Sequence, residues 1–218
     1  MSDERLRELE RRWQDSGTVE DEASYLLERA RVGELSPERL QLAAYCGHPA
    51  ALHATGAQAP PSPSREFFGG LVDRDRWGAE ITFRVLVALA APGVDAWRER
   101  FPADPRVPEA FGVLVRVTRG DVAPPEEVGR HLEAALEAYR EWIDPPQRMP
   151  MAMSLPVICG LREFAGSDLD NNGPLAAGWA MERARLVAGL DSEDLAWELL
   201  GRQVLGAVAS WALGSNSF

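Results

Sequence analysis

Residues 81–91 read ITFRVLVALAA, and whether Ile81 to Ala91 is a helix or a strand decides the class of the fold. Almost every position is apolar, so neither a two-residue nor a 3.6-residue period stands out. Ile81, Thr82, Val85 and Val87 are β-branched and would suit a strand. Length argues the other way, because the run from Trp77 to Ala91 outlasts an ordinary strand. A helix that is apolar nearly all round belongs in the centre of a core. Its one charge, Arg84, then needs a partner, and Glu80 one turn earlier is the natural one.

Working outward, helix punctuation recurs in both directions. Leu6, Leu9 and Trp13 make an apolar stripe closed by Gly17. Thr18, followed by Asp21 and Glu22, has the form of an N-cap with first-turn acids, opening a helix through Tyr25, Leu26 and Ala30. Ser36-Pro37-Glu38 puts a capping residue before a proline at the first helical position. The segment ERLQLAAYCG follows, Gly47 breaks it, and HPAALHATG supplies another short helix. Toward the C-terminus, Pro102 to Pro108 reads as a loop, and Ala110 to Arg119 has both helix and strand character. Pro124 to Ile143 is a strong helix with Val128, Leu132, Leu136, Tyr139 and Ile143 on one face, ended by Pro145-Pro146. Leu155–Phe164, Leu175–Leu190 and Ser192–Leu213 complete the set. With no convincing hairpin, the pattern predicts an all-α fold of antiparallel helix pairs, packed as a helical-repeat-like array or a multi-helix bundle. GAQAPPSPS, Gly56 to Ser64, is the clearest linker. The expected organisation is therefore an N-terminal helical subdomain at 1–55, a Pro-rich linker at 56–64 and a larger helical domain at 65–218.

One stretch, SPERLQLAAYCGHPAALHATGA at 36–57, resembles the paired helices of an ankyrin repeat. The matching residues are Ser36-Pro37, Leu40, Leu42-Ala43-Ala44 and Gly47-His48. The likeness occurs once, with no second copy at the ankyrin period and no Asp/Asn-Gly hairpin after the second helix. Residues 1–70 are also similar to the opening of an uncharacterised bacterial all-helical protein family without an assigned activity. These resemblances imply a helix-pair architecture and no chemistry.

Composition narrows the functions. The net charge is −11, and all 23 basic residues are Arg, none Lys. Schiff-base lysines, P-loop lysines and lysine general bases are therefore excluded. The acid excess argues against a broad nucleic-acid surface and against an anionic membrane. Seven Trp and 45% hydrophobic residues are enough to fill a sizeable core. The start, MSDERLRELERRW, is too charged for a secretory signal. The apolar stretch Leu195–Leu213 is interrupted by Glu198, Arg202 and Gln203. A cytoplasmic location is the expectation. Cys46 and Cys159 form no CxxC and read as structural thiols.

The nearest approach to a chemical motif is GSDLDNNGPL, Gly166 to Leu175. Asp168, Asp170, Asn172 and Gly173 match the first, third, fifth and sixth positions of a calcium-binding EF-hand loop. The twelfth position, where a bidentate Glu belongs, is Trp179, and Glu182 stands on the following helix. The favoured reading is a capped polar loop, with no metal or cofactor. His48 and His53 are five apart with Pro49 between them, a poor zinc pair even with Cys46 close by. Met149, Met151 and Met153 read as core gap-fillers.

Three side chains are candidates for a pocket: Arg84, His131 beside the Val128/Leu132 stripe, and Glu182 on a face with Leu175, Trp179 and Leu186. Four aromatics near helix ends or polar loops, Trp13, Trp97, Phe101 and Trp142, are candidates for protein contact. The leading expectation is a non-catalytic helical protein–protein interaction module, either an adaptor or scaffold or an acidic inhibitor or immunity-type protein. Its partner is another protein, with a basic surface the complementary choice. The alternatives are an enzyme or small-ligand-binding protein with an inter-helical pocket, and a weak calcium-binding helical protein. A deep pocket lined by two or more of these three would favour the enzyme or ligand-binding reading; a flat, aromatic-studded groove would favour the module.

Overall fold

A computed structural model describes residues 2–141, 148–164 and 172–214. Among them are eleven helices and no strand. These are α1 (Ser2–Ser16), α2 (Val19–Arg31), α3 (Pro37–Tyr45), α4 (Pro49–Thr55), α5 (Arg65–Leu71), α6 (Arg74–Arg100), α7 (Arg106–Thr118), α8 (Pro125–Arg140), α9 (Arg148–Phe164), α10 (Asn172–Ala188) and α11 (Glu193–Ala212). The fold is all-α.

Local chemistry sets many of the boundaries. Gly17, at φ 61, turns the chain out of α1 in the left-handed region that side chains avoid. The Asp21 N–H donates to Thr18 Oγ1 at 3.3 Å, and the Arg39 N–H donates to Ser36 Oγ at 3.2 Å. Each bond satisfies one amide that the first helical turn would otherwise leave orphaned. Ser64 and Asp73 cap α5 and α6 in the same way. His48 caps α4, its Nδ1 accepting from the Ala51 N–H at 3.4 Å.

The stretch Ile81–Ala91 lies within α6 and is buried almost throughout. That helix is longer than the sequence suggests. It begins at Arg74, bends at Gly78 (φ 81, ψ 165) and continues through Pro92 to Arg100. Pro92 removes one intrahelical hydrogen bond, a loss that tertiary packing outweighs. At the next residue, Gly93, α6 comes so close to α9 that a Cβ would stand 3.0 Å from the Met153 carbonyl oxygen. Of the ambiguous Ala110–Arg119, all but Arg119 is helical, within α7, and Arg119 is its C-cap. Its buried Val107, Ala110, Val113, Leu114 and Thr118 recur at helical spacing. The preceding loop is correspondingly shorter than expected, because Pro108 lies in the first turn of α7.

By contact the chain groups into two compact units, Met1–Pro61 with the residues from Leu205 onward, and Ser62–Val204. In the first, α2 packs on α1 and α4, and α3 packs on α4. The α3–α4 pair is the ankyrin-like stretch, turned at Gly47 (φ 84). In the second, α9 is central and packs against α6, α7, α8 and α10. Trp97, Leu114, Ile158 and Leu161 are among the fully enclosed residues of this core. Beside it, the Phe68 and Trp197 rings stack at 5.2 Å. Among the described residues α6 alone is long and apolar enough to cross a membrane, and 67% of its apolar window is buried inside the fold.

Candidate functional site

The second unit carries an open cleft of about 710 Å³, formed along one side of α10 with Arg65 from the start of α5. Pro174, Leu175, Gly178, Trp179 and Met181 make its apolar lining, and Glu182 lines it as well. Helical spacing explains the set: Leu175, Gly178, Trp179 and Glu182 follow one another at three- and four-residue intervals on one face. Gly178 has no side chain to fill the floor. Leu175 is 40% exposed. Trp179 is half-buried and also packs inward on the core, so its ring is held in place. The N-terminal end of α10 is seated tightly, since a Cβ on Gly173 would fall 2.8 Å from Val72 Cβ.

Glu182 receives a bidentate pair of hydrogen bonds from Arg185, Nε at 2.8 Å and Nη2 at 2.9 Å. Both carboxylate oxygens are thereby engaged by one guanidinium within α10. Arg84 is paired with Glu80 at 3.3 Å, as the one-turn spacing predicts. His131 is half-buried on α8. The three pocket candidates thus stand on α6, α8 and α10, and Glu182 alone of them lines the cleft.

The aromatic candidates have different placements. Trp97 is a correction: with 0% of its surface exposed it is a core residue and cannot touch a partner. Its indole N–H donates to the Asp104 carbonyl at 3.1 Å, which satisfies its polar end inside the fold. Phe101 is half-buried against it, ring centroids 4.7 Å apart. Trp13 is half-buried and stacks on Tyr25 at 5.3 Å. Trp142, Asp168 and Asp170 lie outside the described residues, and Asn172 opens α10.

Among the described residues no group of three or more His, Cys, Asp and Glu side chains is placed to hold a metal. His48 faces Glu22 at 3.7 Å while capping α4. Burial pushes the Cys46 thiol up to about 12, which makes it a poor nucleophile. Cys159 and Met153 are buried in the core. A second concavity, between α1 and α2, is lined by Glu8, Arg11, Arg12, Asp15, Ser16 and Asp21. Arg12 and Asp21 pair with each other there at 2.6 Å.

Two residues escaped the sequence reading. Arg65, the first residue of α5, lines the cleft, and its sequence neighbourhood carries no signal of that. Arg183, next to Glu182 in sequence, is buried. Its signal was the small-residue face it shares with Ala176, Ala180 and Ala184.

No family model, no curated protein and no solved structure matches this chain.

Proposed function

We propose that this chain is a non-catalytic helical module that binds another protein, in the manner of an adaptor or an inhibitor, and that the cleft along α10 is its docking surface. The observation that carries this reading is the open, mostly apolar form of the cleft, with Trp179 packed on the core behind it and two charged residues, Arg65 and Glu182, in its lining. Interfaces concentrate their energy on such rigid aromatic and aliphatic anchors, ringed by polar groups. The net charge of −11 favours a partner with a basic surface around the contact and speeds the encounter. Catalysis draws no comparable support, because Arg84, His131 and Glu182 do not share the cleft.

The test is affinity capture from host lysate with the wild-type chain and with Leu175→Glu, an exposed position whose change leaves the core intact. The reading expects a stoichiometric partner that the variant loses. Equal capture by both proteins, or no partner with either, counts against it.

A further inference from the structure

Arg183 retains 3% of its surface, and among the described residues no carboxylate pairs with it. Its Nη2 donates to Oε1 of Gln203 on α11, which is a neutral acceptor. Its Nε is enclosed with no acceptor at all. The acid whose field reaches it is Asp95, whose side chain is 72% exposed and engaged with Arg98 at 2.9 Å. The other buried charges of the fold are treated differently: Asp21 meets Arg12 at 2.6 Å and Glu28 meets Arg31 at 2.6 Å. A buried guanidinium without a counter-charge is among the costliest groups a protein can enclose.

We propose that Arg183 anchors a binding site for a carboxylate, entered at Gln203. One uncompensated positive charge is balanced by one monoanion. The parallel N–H groups of a guanidinium fit the two oxygens of a carboxylate as a fork. Gln203 is exposed, so its side chain can swing aside without disturbing the core. Its amide oxygen occupies the place that one carboxylate oxygen takes, and the enclosed Nε awaits the other. Arg183 is not part of the α10 cleft's lining, and the proposal does not depend on the docking reading.

Thermal unfolding of the full chain in sodium acetate against sodium chloride, at matched ionic strength, tests this. Sulfate and phosphate serve as further arms. Acetate at tens of millimolar raises the wild-type Tm by about 2 °C or more over chloride. Arg183→Met loses that response. Gln203→Glu supplies the carboxylate from within the chain, so it unfolds above wild type in chloride and gains nothing from acetate. Should Arg183→Met fail to fold, Gln203→Glu carries the same contrast. Equal wild-type Tm in acetate and chloride, a response that survives in Gln203→Glu, or stabilisation by sulfate or phosphate but not acetate overturns the proposal.

Discussion

Arg39 holds Trp211 in two ways at once. Its Nη2 donates to the Trp211 carbonyl at 2.5 Å, and its guanidinium lies 4.8 Å from the centroid of the same residue's ring. Two residues on, Arg29 Nη1 donates to the Leu213 carbonyl at 2.6 Å. The Trp211 carbonyl also accepts from the Gly214 N–H at 2.9 Å, and Leu213 lies just past the end of α11, so the two cations sit at the C-terminal end of that helix, where its dipole favours positive charge.

Removing this clasp should be costly. Arg39→Ala is expected to lower the unfolding free energy by about 1–3 kcal/mol. Arg39→Lys should recover little of it, since an ammonium lacks the flat face and the directed fork. Urea denaturation of both variants measures this; a lysine variant as stable as wild type would contradict the stacked geometry.

Two helical glycines should respond oppositely to alanine. A Cβ on Gly93 would stand 3.0 Å from the Met153 carbonyl oxygen and 3.4 Å from its Cα, both backbone atoms that cannot step aside. Gly93→Ala is expected to cost about 1–3 kcal/mol through separation of α6 from α9. Gly112, inside α7, has nothing within 4 Å of the same position. Gly112→Ala should stabilise by about 0.5–1 kcal/mol through helix propensity. Chemical denaturation of the pair checks the contrast.

Stability should fall in acid. The hydrogen bond from Arg31 holds the Glu28 carboxyl below its ordinary value of 4.5. Ser16, Thr18 and Arg12 hold Asp21 below 3.8, and Arg106 lowers both Asp104 and Glu141. A carboxyl with a depressed folded pKa contributes stability above its unfolded pKa and loses it as pH falls through the folded value. The unfolding free energy should therefore be flat near neutrality and drop below about pH 4.5. Glu28→Gln should be less stable at pH 7 and show a shallower acid limb. An unchanged limb would mean that Glu28 does not titrate as placed.

Much of the helical framework was legible because its signals are local. Thr18, Ser36 and Gly17 act through neighbours two to four residues away, and Pro37 presets its own backbone angle. The Glu80–Arg84 pair was legible for the same reason. What was not legible depends on contacts far along the chain. The helix through Pro92 is favoured by the close seat of Gly93 on α9, which no window around Pro92 reveals. Trp97 is followed by Arg98, Glu99 and Arg100 and so looked exposed, yet the Asp104 carbonyl seven residues later satisfies its indole and lets it enter the core. Glu182 and Trp179 were visible as one helical face, but Arg65, from across the unit, was needed to make that face a cleft.

The central claim, that the α10 cleft is where a partner docks, is met most directly by photo-crosslinking in host cells. A photoreactive phenylalanine analogue is placed at Leu175, in the cleft, and separately at Val122, which is 93% exposed and lies outside it. The prediction is one discrete crosslinked protein from position 175 and none from 122. The same products from both positions, or none from 175, would contradict it.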